Sequence, residues 1–227
     1  MKIISWNICG LPRNLNFYHN PHKKIDNIIQ TIFNINPCIL LLQEVFDLNI
    51  QKKVIEELEK KNYYVNVSEN LRTISSNGLV TATKAPIINT DLYKFKNNTS
   101  VEFFIEKGIQ KSQIENMTIY NTHIQSGSML GIYSRCKKYR YKQYQETLEF
   151  IDPKENLIFG GDFNEDHNDS ELNNMIETMK LYNNKDKLVT FPEYSKQLDY
   201  ILTNIDELNT YTIIPSNLSD HYIIELK

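Results

Sequence analysis

The chain has 227 residues, of which 41% are hydrophobic and 23% charged, and its formal net charge is −3. This composition can build a buried core, and the length with no recognisable linker predicts one domain over residues 1–227. The slight negative charge argues against a global attraction to nucleic acid or anionic membranes, although a local basic patch could still bind them.

Targeting and redox features are few. The three cysteines are widely spaced and lack the pairing typical of a metal site, so we expect buried or reduced thiols. The sequence begins without the basic and apolar regions of a secretory signal, and no apolar run approaches the roughly 18 residues that span a bilayer. The expectation is a monomer in the cytoplasm or another intracellular compartment, without a transmembrane segment.

Apolar and amphipathic stretches alternate in the first third of the chain. The run at residues 2–10 predicts a strand, and residues 22–36 predict a helix that stops before Pro37. One face of this helix carries the apolar residues Ile25, Ile28, Ile29, Ile32 and Phe33. A second strand at residues 38–45 follows, and residues 48–62 predict a charged helix. A strand, a helix and a strand in this order are typical of a sheet buried on both faces.

Short β runs dominate the rest of the chain. The predicted strands lie at residues 63–67, 78–83, 86–95, 101–109, 117–124, 157–164, 187–191, 197–204, 208–214 and 222–226. Two further helices are expected, at residues 128–152 and 171–181. The connections between the predicted strands contain Asn, Gly and Pro, which are typical of turns. The pattern predicts an α/β sandwich, in which two packed mixed β-sheets are flanked by helices.

The stretch LIFGGDFN at residues 157–164 ends an apolar run with two glycines and two oxygen-bearing side chains. Glycine accepts φ > 0, so the pattern predicts a tight turn directly after the strand. Alternation along an extended backbone would direct Asp162 and Asn164 the same way and Phe163 toward the core. Asp and Asn after glycine are also ordinary turn residues, so other strand ends must support a functional interpretation.

Polar side chains stand at the ends of four other apolar runs. They are Asn7, Glu44, His123, Asp220 and His221. This distribution predicts a site gathered at one edge of a sheet. Hard oxygen ligands without cysteine favour Mg²⁺, with Mn²⁺ or Ca²⁺ as alternatives, over structural zinc. Two histidines can supply an acid and a base near neutral pH, so the set predicts metal-assisted hydrolysis of a phosphoester.

Six short motifs carry a resemblance that extends along nearly the whole chain. They are WN at residues 6–7, LLLQEV at 40–45, NTHIQS at 121–126, GGDFN at 160–164, LDYIL at 198–202 and SDH at 219–221. Their order and spacing resemble the endonuclease/exonuclease/phosphatase superfamily, which has a DNase I-like fold. The resemblance implies a four-layer α/β/β/α sandwich and a phosphodiester substrate cleaved by an activated water.

The same resemblance implies which residues bind the metal and the phosphoryl group. Glu44 would be the principal metal ligand, with Asn7 beside it. Asp162 and Asn164 would position the attacking water and the phosphoryl oxygens. Asp220 would orient the site or contact a second metal.

Proton transfer is also assigned by the resemblance. His221 would be the general base, oriented by Asp199, and Asp162 is the alternative base. His123 would bind the phosphate or protonate the leaving group.

Within the superfamily, three features resemble neutral sphingomyelinases. His123 stands where apurinic-site endonucleases usually carry tyrosine. The segment FIEKGI at residues 104–109 resembles the Lys-Gly strand of neutral sphingomyelinases and inositol polyphosphate phosphatases. A helix with Arg140 and Gln143 follows the NTHIQSG motif at a similar spacing. The resemblance implies a sphingomyelin phosphodiesterase, whereas a Mg²⁺-dependent DNase I-like nuclease or DNA-repair phosphodiesterase and a non-catalytic binding module stay open. The substrate is accordingly a lipid headgroup or a nucleic acid.

Three further residues are candidates for substrate binding. Lys107 could meet a phosphate, or it could only cover a strand edge. Asn77 could hydrogen-bond His123, or it could form a turn. Arg140 could attract a phosphate together with its basic neighbours.

Arg140 belongs to the segment YSRCKKYRYKQY at residues 133–144, which mixes basic residues with tyrosines. Such a segment could be a phosphate-attracting rim or a stacking surface for single-stranded nucleic acid. The competing interpretation is an ordinary helix with Tyr141 and Tyr144 turned inward and the lysines solvated.

Overall fold

The computed structural model describes residues 1–11, 21–67, 77–99, 106–127 and 133–227, and only the backbone of residues 133–135. Most of the predicted strand at 101–109, and the first residues of the predicted helix at 128–152, therefore lie outside the described residues. Within the described ranges, no helix is long and apolar enough to cross a membrane.

A six-stranded sheet combines the two ends of the chain. Its strands are β1 (Ile3–Asn7), β2 (Ile39–Gln43), β3 (Tyr64–Val67), β4 (Val80–Thr83), β10 (Tyr211–Ile214) and β11 (Ile223–Leu226). Their order is β10-β11-β1-β2-β4-β3, and only β1 and β2 are parallel neighbours. The helix α1 (Pro21–Ile35) connects this parallel pair, and α2 (Leu48–Lys60) follows β2. The predicted strand, helix and strand at the start of the chain are confirmed.

The middle of the chain forms a five-stranded sheet in simple sequential order. Its strands are β5 (Asn89–Lys94), β6 (Gly108–Ile114), β7 (Met117–His123), β8 (Leu157–Asp162) and β9 (Asp199–Thr203). The neighbours β7 and β8 are parallel, and α3 (Tyr133–Phe150) lies between them in the sequence. The helix α4 (Ser170–Thr178) follows β8, and β9 is left as an edge strand.

Three apolar layers hold the sheets and helices together. Side chains of α1 and α2, such as Ile28 and Val54, pack on the outer face of the first sheet. Side chains of α4, with Tyr144 of α3, pack on the outer face of the second sheet. Between the sheets lies a third layer of fully buried aliphatic side chains that includes Leu41 and Ile158. The molecule is therefore a sandwich of helices, two mixed β-sheets and helices, which confirms the predicted fold.

The layer between the two sheets also contains polar side chains. Gln43 on β2 donates to Asn121 Oδ1 on β7 at 2.9 Å, and Asn121 donates in return to the carbonyl oxygens of Leu42 and Val80. Each partner is fully buried. Because unpaired buried amides are costly, this exchange fixes how one sheet sits on the other close to the strand ends.

Two local predictions were wrong. Gly160 and Gly161 do not form a turn but lie inside β8, where a Cβ on Gly161 would stand 2.0 Å from the Thr122 carbonyl oxygen. Glycine is needed there because neighbouring backbone comes close and because φ of Gly161 is +144°. Residues 187–191 form no strand, and Phe191 makes only an isolated bridge to Lys196.

Candidate active site

Six polar side chains meet where strands of both sheets end or begin. They are Asn7, Glu44 and His221 from the first sheet and its flanking residues, and His123, Asp162 and Asp199 from the second. The predicted position at one edge of a single sheet is therefore corrected, because the stacked ends of two sheets form the site together.

Strand register explains why three of these side chains are neighbours. His123 pairs with Asp162 across β7 and β8, and Asp162 pairs with Asp199 across β8 and β9. Directly paired residues point to the same face of a sheet. One imidazole and two carboxylates therefore line up across three adjacent strands, with Asp162 in the middle.

Glu44 lies directly after β2 in a left-handed backbone conformation, with φ of 57°. Its carboxylate Oε1 lies 3.8 Å from His123 Nε2, and 21% of the side chain is exposed. Desolvation raises the pKa of Glu44, and the nearby Asp220 carboxylate raises it further. Glu44 is thus the carboxylate of this cluster that reaches solvent, which suits a metal ligand.

Asp162 is the centre of the cluster. Its Oδ2 accepts a hydrogen bond from Asn7 Nδ2 at 3.0 Å, and its Oδ1 accepts from the amide of Asn164 at 2.9 Å. The same Oδ2 lies 3.6 Å from His123 Nε2 and 3.9 Å from His221 Nε2. Burial raises the pKa of Asp162 to about 7, with a further contribution from Asp199. A carboxyl with a pKa near neutrality can accept a proton at physiological pH.

His221 and Asp199 form a buried hydrogen-bonded pair. His221 Nδ1 donates to Asp199 Oδ2 at 2.7 Å, which leaves Nε2 directed toward Asp162. Burial opposes charge on the ring, but Asp199 outweighs it and the pKa of His221 is raised to about 10. The Trp6 indole donates to the His221 carbonyl oxygen at 3.1 Å and fixes the backbone of the same residue.

His123 has a different neighbour and the opposite shift. Lys107 Nζ lies 3.1 Å from His123 Nε2 and donates to the Ile124 carbonyl oxygen at 2.8 Å. Burial lowers the pKa of His123, and the charges of Lys107 and His221 lower it further. The ring is therefore neutral at neutral pH, which argues against His123 as the acid that protonates a leaving group.

Asn164 and Asp220 flank the cluster. Asn164 has a φ of 53°, and its side chain donates to the Ile124 carbonyl oxygen at 3.1 Å. Its left-handed conformation provides the turn that the two glycines do not form. Asp220 Oδ1 lies 3.1 Å from the hydroxyl oxygen of Ser219, and the Asp220 charge acts on Glu44 and His221. Both residues thus lie beside the cluster of polar side chains to which the sequence assigned them.

Arg140 is not brought to the site. The side chain is fully buried, and its Nε and NH2 atoms lie 3.0 and 2.9 Å from Glu165 Oε2. A further NH1 hydrogen bond reaches the Ser126 carbonyl oxygen at 3.3 Å. Its guanidinium holds the loops after β7 and β8 against α3, and these contacts favour a structural role over the predicted phosphate contact.

The remaining predictions for α3 and for Asn77 can be placed as well. Tyr144 is buried and Tyr141 donates to Asp169, whereas Lys138 and Lys142 are exposed. This arrangement favours the ordinary amphipathic helix over a binding rim. Asn77 is buried, and its Oδ1 accepts from the amide of Leu79 at 3.0 Å, as in the predicted turn.

A divalent cation fits this donor set. Glu44, His123 and Asp162 offer ligand atoms that all lie within 4.8 Å of one another. Both carboxyl groups of this set have raised pKa values, chiefly because burial desolvates them and further because another acidic group lies near each. Asp199 Oδ1 is buried without a hydrogen-bond partner among the described residues. Excess negative charge and oxygen donors are what Mg²⁺, Mn²⁺ or Ca²⁺ would neutralise.

Sequence reasoning missed Ser219 and Cys9 as members of the site. Ser219 donates to the Asn7 carbonyl oxygen at 2.7 Å and accepts from the amide of His221 at 3.2 Å, so it joins β1 to the histidine. Cys9 is a buried thiol whose pKa is raised by burial and by the charges of Glu44 and Asp220. Ser219 could have been noticed because it precedes the Asp-His pair, whereas nothing in the sequence marks Cys9.

Comparisons with known proteins agree on one family. The model of the Endonuclease/Exonuclease/phosphatase family matches residues 4–221. A phospholipase C from Staphylococcus aureus is 23% identical over an alignment of 209 positions, and the match covers 80% of this chain and 62% of that protein. The chain thus spans less than two thirds of that relative. A sphingomyelinase C from Bacillus cereus is 24% identical over 92% of this chain and 76% of that protein.

Solved structures show the same fold at low sequence identity. A crystal structure of beta toxin from Staphylococcus aureus has a TM-score of 0.82 and 21% identity, and covers 100% of this chain and 99% of that one. A second beta toxin structure, which has bound magnesium ions, has a TM-score of 0.78 and 22% identity over 99% and 98% of the two chains. Both similarities support the arrangement of sheets and helices.

Proposed function

Because the chain belongs to the endonuclease/exonuclease/phosphatase family, whose members hydrolyse phosphoester bonds, we propose that it is a metal-dependent phosphodiesterase most like a sphingomyelinase. The observation that carries this proposal is the His221–Asp199 pair, buried and 2.7 Å apart, with its free Nε2 facing Asp162. A base held by a carboxylate next to a cluster of oxygen ligands is suited to activating water against a phosphorus atom.

In the proposed reaction, His221 takes a proton from the attacking water at Nε2 while Asp199 holds Nδ1 and fixes the ring orientation. Asp162 is the alternative base, because its pKa of about 7 suits proton transfer at neutral pH. Asn7 and Asn164 hold the two oxygens of Asp162 by hydrogen bonds and so restrict its rotation.

Glu44, with Asn7 and Asp162 nearby, would hold the metal ion. Asp220 would orient the site or contact a second metal ion. A bound Mg²⁺ would supply positive charge for the phosphoryl oxygens and, by the same charge, favour the neutral form of His221. The neutral His123 lies beside both Asp162 and Glu44, with Lys107 next to it, and these two side chains would contact the phosphate or the leaving oxygen.

The substrate assignment rests on the relatives. A sphingomyelinase C and a phospholipase C are among the similar proteins, and their names point to a phosphodiester that carries a lipid headgroup. The basic helix α3 gives little support to a nucleic acid substrate, since Arg140 is buried and Lys137 pairs with Asp169.

The experiment compares three substrates with purified protein in Mg²⁺ and in EDTA. We expect Mg²⁺-dependent release of phosphocholine from sphingomyelin, which is lost with EDTA and with His221→Ala. Phosphatidylcholine and plasmid DNA are the competing substrates. Cleavage of DNA without phosphocholine release would replace the proposal by a nuclease, and no cleavage of any substrate would favour a binding module.

A further inference from the structure

The edge of β9 next to the site is covered by one residue, Thr190. As an edge strand, β9 would expose the amide groups on the side that faces away from β8. The Thr190 hydroxyl oxygen accepts from the amide of Leu198 at 2.9 Å and from the amide of Asp199 at 3.1 Å. Both bonds fix the backbone from which the Asp199 carboxylate projects.

The backbone of Thr190 contacts the partner of Asp199. The Thr190 carbonyl oxygen accepts from the amide of Tyr222 at 2.7 Å, and Tyr222 directly follows His221. Asp199 belongs to one sheet, and His221 precedes a strand of the other. Thr190 therefore touches the backbone on both sides of the His221–Asp199 hydrogen bond, and it does so from a fully buried position.

The next residue supports the histidine ring. The Phe191 ring lies 4.9 Å from the His221 ring between centroids, at an angle of 53°. Residues 190–196 close into a small loop, because Thr190 and Phe191 both donate backbone hydrogen bonds to the Lys196 carbonyl oxygen. The loop is thus stiffened from within, and it presents one hydroxyl to Asp199 and one aromatic ring to His221.

We propose that Thr190 is a positioning residue for the Asp199–His221 pair, acting through its hydroxyl on Asp199 and through its carbonyl on the residue after His221. The inference rests on the proposed function in one respect, because it explains how His221, the proposed base, is held in place. Thr190 touches neither a reacting atom nor the substrate. Its hydroxyl fixes the distance and direction of a hydrogen bond that must align two separate sheets.

The test uses Thr190→Val, which keeps the shape of the side chain and removes the hydroxyl, and Thr190→Ser, which restores the hydroxyl. The matched control is Thr203→Val at the far end of β9. Thr203 is equally buried, and its hydroxyl donates to the Leu157 carbonyl oxygen at 2.9 Å and accepts from the amide of Ile205. The control therefore makes the same chemical change at the other end of β9, away from the site.

For Thr190→Val we expect kcat to fall about ten- to a hundredfold with KM nearly unchanged, because misplacing a catalytic group by a fraction of an ångström slows the chemical step more than binding. Thr190→Ser should keep most of the wild-type kcat. Thr203→Val should lower the melting temperature without lowering kcat. Wild-type kcat in Thr190→Val, or an equal loss of kcat in Thr203→Val, overturns the inference.

A second measurement does not depend on activity. Nitrogen-15 spectra of the imidazoles report whether His221 Nδ1 donates to a carboxylate, and loss of the signal in His221→Gln assigns it. We expect Thr190→Val to shift this Nδ1 signal and Thr203→Val to leave it in place. An unchanged signal in Thr190→Val contradicts the positioning role, even if the wild-type protein cleaves none of the tested substrates. Absence of hydrolysis together with a shifted signal would count against the proposed function alone.

Discussion

At the scale of single residues, the pKa values of the two histidines in the site are shifted in opposite directions. Asp199 stabilises the charged form of His221, whereas burial and Lys107 destabilise the charged form of His123. Groups with pKa values pushed apart are typical of sites that move protons. The residues that touch each imidazole therefore shift its pKa in a different direction, which is consistent with the different roles proposed for His221 and His123.

Asp199→Asn tests the first of these tasks. The amide keeps the size of the carboxylate but loses the charge that orients the ring, so we expect kcat to fall by roughly 10²- to 10⁴-fold. KM and the circular dichroism spectrum should change little. Asp206→Asn, at an exposed position, is the control and should keep wild-type kcat. Equal activity of the two variants would remove Asp199 from the mechanism.

Lys107→Met tests the second task. Because the Lys107 charge lowers the pKa of His123, its removal should raise that pKa and extend the pH range in which the ring is protonated. The measurement is an NMR titration of His123 in metal-free protein. The control is Lys111→Met, on the strand β6 that begins directly after Lys107; Lys111 pairs with Glu155, so this variant should leave the titration unchanged. A downward shift in Lys107→Met would contradict the assignment.

At the scale of elements, the site depends on how two sheets are stacked. His221 precedes β11 of the first sheet, and its partner Asp199 begins β9 of the second. A small slip between the sheets would break this pair. The hydrogen bonds that Asn121 accepts from Gln43 and donates to the backbone of the first sheet oppose such a slip, because they satisfy buried amides in one relative position only.

Asn121→Ala should therefore weaken the whole sandwich. Its removal leaves the Leu42 and Val80 carbonyl oxygens with one donor fewer, and we expect unfolding to become easier by about 1–3 kcal/mol. Urea denaturation measures this difference. Asn156→Ala, at an exposed position, should cost much less. If the two variants are equally stable, the polar layer does not hold the sheets in place.

At the scale of the whole molecule, much of the fold could be predicted from the sequence. Periodic apolar residues located α1, and continuous apolar runs located β1, β2 and β8, because strands buried on both faces carry few polar side chains. The motifs also identified the polar strand ends that the structure gathers into one cluster. Local pattern was sufficient wherever burial alone decided the conformation.

Other features depend on distant partners, and there the sequence was insufficient. Arg140 looked like a phosphate ligand because its partner Glu165 lies 25 positions away, in the loop after β8. Residues 187–191 looked like a strand, yet the Thr190 hydroxyl instead covers the edge of β9. Gly161 looked like a turn residue, but the close approach of Thr122 is visible only in the assembled sheet.

The most direct test of the central claim is hydrolysis of bis(p-nitrophenyl) phosphate, which requires no lipid or nucleic acid recognition. The rates of wild type, Glu44→Gln and the exposed control Glu149→Gln are compared in Mg²⁺ and in EDTA. We expect wild type and Glu149→Gln to hydrolyse the substrate in Mg²⁺. The rate should fall by about a hundredfold or more with EDTA or with Glu44→Gln. Hydrolysis that survives both EDTA and Glu44→Gln would contradict a metal-dependent site built on Glu44.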